Sequence, residues 1–440
     1  MKRILMMATL VLVAVSCAKT PKNSPVPATV TLQMEGSDYL EKGVTITLRD
    51  QSSSAAYEAT TDETGTATFN VLPGLYEAVT QFKKAVDGKA YVYNGVNSNI
   101  VVAKSAKNAF TIAIKESVTN QIVVKELYNG GCTYKITNAD GSESTDTFQS
   151  DAYVILYNNS DQPAEASDIC FGFVLPFNSN ATNKYLKDGK LMYESLGWLP
   201  AGSAIWWFNT NVTIPAYSQI VVAIFGAVDH TATYPESVDL SKADYVMYDP
   251  EAGYNNATKY PAPSANIPES NYLQTAPFSK GNAWPISVSS PAFIVFKHDN
   301  PNGLSTDSAN YDLTSGTALP AVKVPVTSVV DAIDVFAEGA DDKNNKRFTS
   351  AVDAGYIHLD NKQGHTLYRN VDKEATEALE GNKEKLIYNY AGGTTVNDKA
   401  STDPSGIDAE ASIKNGARII YQDTNNSSKD FHQRNVSSLK

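Results

Sequence analysis

Cysteine and histidine are scarce in this 440-residue chain, with three and five copies. No C-x-x-C is present, and none of His230, His298, His358, His365 and His432 has the i, i+4 partner of a helical zinc site. A nucleophile elbow, G-x-S-x-G, is missing. AGGTTVND lacks the lysine of a phosphate-binding loop. HDNPNGLSTD (298–307) comes nearest to a calcium loop and fails its spacing. These gaps predict no metal, no cofactor and no catalytic residues. Basic clusters are also missing from a chain of net charge −12, which excludes nucleic acid as a partner because phosphates need Lys/Arg patches. Long helical periodicity is nearly absent, and beyond residue 15 no run is long and apolar enough to cross a bilayer as a helix. Paired carboxylates are too numerous for sequence to single out two.

What is present begins with MKRILMMATLVLVAVSC. A basic pair, Lys2-Arg3, precedes twelve largely apolar residues, Ile4 to Val15, and then Ser16-Cys17. This resembles the lipobox of bacterial lipoproteins, with Ala14 where Leu is commoner. The resemblance implies a cleaved leader (1–17) and lipid on Cys17, an anchor whose chains gain roughly 0.8 kcal/mol per buried CH₂. Losing Lys2 and Arg3 would make the chain more acidic still. Residues 18–27 are polar and proline-rich and read as a tether. Surface lipoproteins of Bacteroidetes often carry acidic residues just after the cysteine; Ala18-Lys19-Thr20 do not, so both faces of the outer membrane stay open.

Residues 28–116 alternate apolar and polar residues in short runs split by Gly, Asp, Asn and Pro. TDETGTATFNVLPGLYEAVT (61–80) resembles the carboxypeptidase-regulatory-like, transthyretin-like Ig domains, with Asp62 to Gly65 as the tight turn and Phe69 in the core. That implies a spacer. Lys115 to Gln121 reads as a hinge. From 121 to 440 the strand order starts with QIVVKELYNGGC, DAYVILYN and ICFGFVLP. It resembles the lamin-tail domain, carried by Val124 to Leu127, Leu156 to Ser160 and the G-x-x-L-x-R of Gly364 to Arg369. The whole pattern resembles an uncharacterised Bacteroidetes lipoprotein family of unknown function. That resemblance implies a cell-envelope location and a capture or accessory role beside a TonB-dependent receptor. The predicted fold is therefore all-β: an Ig-like/transthyretin-like sandwich, then a lamin-tail-like sandwich with insertions at 177–212, 228–290 and 300–323.

Within DAYVILYNNSDQP, alternation puts Val154 and Leu156 on the sandwich face. Tyr153, Ile155 and Tyr157 fall on a second face, apolar enough to be partly covered. Asn158 to Gln162 makes a turn through Asn, Asp and Ser side chains. One helix is predicted over Asp372 to Leu379, closed by Gly381, and GARIIYQD (416–423) reads as a late strand. Cys132 and Cys170 form an even pair that invites a disulfide, against two separate buried thiols. IWWFN (205–209) sets Trp206 beside Trp207. On a strand they face opposite ways, so one is core and the other a ligand-stacking candidate, unless both simply pack.

The reading that results is a non-catalytic outer-membrane lipoprotein binding a glycan, small ligand or protein partner through its insertions. A glycan- or nucleic-acid-acting hydrolase and a structural adhesin are the alternatives. A carboxylate pair lining one cleft would favour the hydrolase.

Overall fold

The computed structural model describes residues 24–440 except 54, 87, 88, 119, 285, 341 and 342. The leader, Cys17 and most of the tether lie outside the described residues. Two compact units result: the chain up to Val79 with Asn97–Ala113, and Thr80–Val96 with Ile114–Lys440. The dividing points fall inside the strands Gly74–Val86, Lys89–Val102 and Ala109–Val118.

In the first unit, Val26–Met34 pairs antiparallel with Thr66–Val71 and parallel with Ala109–Val118. Alternation decides what is buried: Ala28, Val30 and Leu32 point inward, as do Ile46 and Leu48 of Thr45–Asp50. Phe69 fills this core as the sequence predicts. The Asp62 to Gly65 turn is held by Asp62 Oδ1, which accepts from Thr64 N at 2.8 Å and Thr66 N at 3.2 Å. Gly65 there has φ +71° and lies against the Tyr39 carbonyl, so a Cβ would clash.

The second unit is a β-sandwich of two six-stranded sheets. One runs Tyr245–Val246, Gln219–Ala223, Tyr153–Asn158, Ile122–Tyr128, Thr366–Arg369, Phe431–Arg434. The other runs Gln274–Thr275, Trp206–Trp207, Ile169–Phe173, Ala292–Lys297, Val329–Ala337, Ile357–Leu359. Val154 and Leu156 enter the shared core with Val124, Leu127, Phe171, Ile294 and Ile333. A bulge opposite Ile155/Leu156 lets Val124 and Leu127, three residues apart, share that face.

Both sheet faces of Tyr153–Asn158 are dry. Tyr153 and Ile155 pack under Val238, Leu240, Val246 and Ile267 of the second insertion. Tyr157 packs under Leu386, Ile407, Ile419 and Tyr421. Strands buried on two sides read as continuous apolar runs, which is what YVILY shows. The first and third insertions pair with each other, Trp198–Gly202 against Ala321–Pro325. These insertions are thus largely packed covers, and only parts of them remain as loops.

Buried charge ties the sandwich together. Arg369, the arginine of G-x-x-L-x-R, donates through Nη2 to Asp331 of the facing sheet and through Nε to Val124 O at 2.6 Å. Asp331 Oδ2 also accepts from Val124 N at 2.6 Å. Arg347 donates to Asp334 Oδ1 from Nη2 at 2.7 Å and from Nε at 3.1 Å. Asn158 closes the turn as the sequence predicts: its Oδ1 accepts from Ser160 N at 3.1 Å, and its Nδ2 donates to Gln162 O at 2.6 Å.

Two expectations need correction. Cys132 and Cys170 are both free and buried. Cys132 opens the hairpin Cys132–Thr137/Glu143–Phe148, whereas Cys170 lies in the central core between Trp207 and Phe296, so the predicted bridge is not formed. GARIIYQD forms no strand beyond a single bridge, Tyr421 with Val371. Its backbone is satisfied by side chains distant in sequence: Ile419 O accepts from Tyr157 Oη at 2.7 Å, and Tyr421 N donates to Asn159 Oδ1 at 2.7 Å. The late strand is Phe431–Arg434. The helix is as expected, Lys373–Ala378, with Asp372 Oδ1 accepting from Ala375 N at 3.1 Å.

Candidate functional site

The central strand Ile169–Phe173 of the second sheet places Cys170 opposite Trp207 on one side and Ile169 opposite Lys297 on the other. Three chain segments therefore meet at one end of the sheet: the residues entering Ile169, those around Trp207, and the loop leaving Lys297. They enclose a cleft of about 320 Å³, within the range of small-molecule sites. Trp207, Phe208 and Pro301 supply its apolar wall. Ser167, Asp168 and the run His298 to Asn302 supply the rest.

The polar groups are held in place by backbone contacts. His298 N donates to Asp168 O at 2.9 Å, joining the two loops. Lys297 Nζ lies 3.3 Å from Asp168 Oδ1. Asn300 caps the short helix Pro301–Thr306, its Oδ1 accepting from Gly303 N at 3.0 Å. The Asn300 N–H donates to His298 Nδ1 at 3.0 Å, so the imidazole proton sits on Nε2. Ser167 Oγ accepts from Val212 N at 2.9 Å. Phe208 is braced edge-on by Tyr245, with ring centroids 4.8 Å apart.

Both tryptophans of the pair are buried in the core, as the alternative that both simply pack has it, and neither is an open stacking surface. Trp206 is wholly buried near Tyr254 and Tyr260, with ring centroids 5.8 and 6.2 Å away, and is removed from the candidates. Trp207 borders the cleft yet is only 9 % exposed, being paired between Cys170 and Gln274 in its sheet and packed into the core. His358 and His365 do not face each other across a hairpin; His358 lies in the edge strand Ile357–Leu359 of one sheet, and His365 just precedes Thr366–Arg369 of the other. Among the described residues no three His, Cys, Asp or Glu side chains gather to hold a metal.

Asp168, His298 and Asp299 were not singled out as ligand contacts by sequence reasoning. The usable signal was a polar, Asn-Pro-containing run directly after the apolar strand AFIVFK, the same run that fails as a calcium loop. Other polar constellations are interior. Asp151 accepts from Ser237 Oγ at 2.6 Å and Gly131 N at 3.0 Å, fully buried, and burial pushes its carboxyl up. Burial likewise pushes the Cys132 thiol up to about 12, an inert thiol rather than a nucleophile.

Among solved structures, a DUF4876 family protein from Bacteroides thetaiotaomicron is 18% identical, covering 92% of this chain and 94% of that one at a TM-score of 0.49. A DUF3823 family protein from Parabacteroides merdae is 12% identical over 46% of this chain and 98% of its own, at 0.15. The minor pilin GBS52 of Streptococcus agalactiae is 12% identical over 68% and 90%, at 0.14. Comparison with curated proteins gives no match. Residues 217–389, under half of the chain, match the model of DUF4876, described as a protein of unknown function, in keeping with the resemblance to an uncharacterised Bacteroidetes family.

Proposed function

We propose that this protein is a non-catalytic, lipid-anchored binding protein of the outer membrane, which captures a small polar ligand such as a glycan fragment and serves a TonB-dependent receptor. The observation that carries the reading is the cleft walled by Trp207 and rimmed by hydrogen-bonding side chains. A small cleft with an apolar floor and a hydrogen-bonding rim suits a small polar ligand. Binding is favoured over catalysis because the groups that would do chemistry are engaged: His298 Nδ1 takes a backbone N–H, and Ser167 Oγ accepts another. The anchor rests on the Cys17 lipobox alone.

Tryptophan fluorescence titrations against an oligosaccharide panel test the site. Trp207→Ala should abolish binding, with a lowered melting temperature because the ring is largely buried; equal binding by a variant that still folds ends this assignment. For the anchor, Cys17→Ser should release the protein from the envelope on fractionation, and crosslinking in cells should recover a TonB-dependent receptor.

Glycan hydrolysis is a second reading, favoured by one observation, that Asp168 and Asp299 both line the cleft. Against it, Asp299 is fully exposed and Asp168 pairs with Lys297, so neither has the apolar surroundings that a general acid needs. Release of reducing ends by wild type and not by Asp299→Asn would establish hydrolysis in place of binding.

A further inference from the structure

The end of the first unit where the chain enters carries apolar surface that packing does not use. Val26 pairs with Val71, and Asn108 Nδ2 donates to Pro27 O at 3.2 Å, so the residues after Val71 and the loop 103–108 both flank the entering chain. Leu72, Leu75 and Val101 stand at these edges, 41, 45 and 61 % exposed. Their strands, Gly74–Val86 and Lys89–Val102, are neighbours in the sheet. Gln51 bridges them, its N–H donating to Leu75 O at 3.0 Å and its Nε2 to Ser98 O at 2.6 Å. Beyond Val101, Ala103 N donates to Asn108 Oδ1 at 3.0 Å, which closes the loop beside Pro27. Single exposed aliphatic residues are ordinary, whereas several gathered at one end mark a contact surface.

Charge divides along the same axis. Lys104 and Lys107 are exposed in the loop at the entry end. The nearest carboxylates are engaged: Glu77 lies 4.0 Å from Arg49, and Asp50 Oδ1 accepts from Ser52 N at 2.8 Å. At the opposite end, past Met34 and Thr66, gather Glu35, Asp38, Glu41, Asp62 and Glu63, with Lys42 held 3.1 Å from Glu63. Leu40, exposed there, stands among those carboxylates. Eight residues, 18–25, separate Cys17 from Val26, so lipid on Cys17 would hold the entry end within about 30 Å of a bilayer. Resting on the lipid anchor proposed above, we infer that the entry end of the first unit is a contact face for an anionic membrane surface, with Leu72, Leu75 and Val101 among the headgroups and Lys104 and Lys107 against their phosphates. Aliphatic insertion and lysine attraction add to the acyl chains, and anionic lipid repels the acidic end. The first unit then orients the molecule on the membrane and is more than a spacer.

Fluorescence on vesicles tests this. The full-length protein, lipidated by the cells that produce it, is incorporated into phosphatidylglycerol/phosphatidylethanolamine vesicles with an environment-sensitive fluorophore attached at Leu75→Cys, Val101→Cys or Asp38→Cys. Cys132 and Cys170 are buried and stay unlabelled. Emission from positions 75 and 101 should shift to the blue and be quenched by nitroxide-bearing lipid, and emission from position 38 should do neither. Lys104→Glu combined with Lys107→Glu should reduce the shift, as should high salt or phosphatidylcholine vesicles. If positions 75 and 101 behave like position 38 in protein that floats with the vesicles, the contact face is wrong and the anchor stands. A blue shift that is present without vesicles and grows with protein concentration would assign the surface to a second copy of the chain and overturn the membrane face. Protein that does not float with vesicles removes the anchor, and the contact face falls with it.

Discussion

The two units handle polar side chains in opposite ways. Among the described residues of the first unit, Thr61 is the only polar residue fully buried. The second unit buries Lys125, Glu126, Asp151, Asp331, Asp334, Arg347, Asp353, Arg369, Asp430 and His432. The cause is architectural. In the first unit, one face of each alternating strand goes inward and the other meets water, so charge stays outside. In the second, insertions close over the outer face of a sheet, and residues that would have met water are enclosed. Enclosed charge has to be paired and hydrogen-bonded, since an isolated one is prohibitively costly. Lys125, the bulged residue, shows the rule: its ammonium reaches Glu410 at 2.6 Å and Gln219 at 2.5 Å.

The comparison can be broken most directly at Arg369. Arg369→Ala would strand Asp331 and leave Asp423 and Asp430, at 3.6 and 3.9 Å, without their shared cation. A loss of about 3–5 kcal/mol is expected on chemical denaturation. A loss below 1 kcal/mol would mean that the sandwich does not depend on its inter-sheet ion pair.

A smaller effect sharpens it through pH. His432 is buried, its Nδ1–H donating to Asn370 Oδ1 at 2.8 Å and its Nε2 accepting from Tyr390 Oη at 2.7 Å. Burial, with Arg434 nearby, pushes its pKa down to about 3. Below pH 6.5 the unfolded chain takes a proton that the folded chain refuses. Stability therefore falls with pH from 6.5 toward 3, by up to about 1.4 kcal/mol per pH unit. Asp331, whose carboxyl burial pushes up against the pull of Arg369, acts the other way: its folded form gains a proton before the unfolded one, so its contribution to stability rises as pH falls toward the usual carboxylate range. His432→Gln isolates the histidine, and its melting temperature should fall less steeply below pH 6.5 than that of wild type. An identical pH profile would show that His432 is not held neutral.

The smallest effect is at the exposed pair Lys135–Glu143, 2.8 Å apart on the hairpin. Lys135→Ala should change stability by less than about 0.5 kcal/mol, because water and salt screen such a pair. A larger loss would blur the line drawn between enclosed and exposed charge.

Much of the framework was legible in sequence because period-2 alternation and turn chemistry are local. The Asp62 to Gly65 turn, the inward Val154 and Leu156, the Asn158 turn and the capped helix at Asp372 all follow from residues within a few positions of each other. GARIIYQD shows where local reading fails: its apolar residues cover Tyr157 and Tyr368, and side chains distant in sequence satisfy its backbone. The cysteines fail likewise, since counting them says nothing about which strand each lies in. At the cleft, the partners Asp168 and His298 come from loops 130 residues apart, brought together by the pairing of Ile169–Phe173 with Ala292–Lys297 and by the bond from His298 N to Asp168 O.

The amino-acid sequence by itself determined that this chain folds as β-strands, where most of those strands run, and that its surface is acidic, because alternation, turn residues and formal charge act over a few neighbouring positions. Tertiary structure alone decided that both faces of the first sheet are covered, that Arg369 finds Asp331 across the core, that the thiols stay apart, and that Trp207 borders a carboxylate-rimmed cleft. Those outcomes depend on burial and on contacts between residues far apart in the chain, which no local pattern encodes.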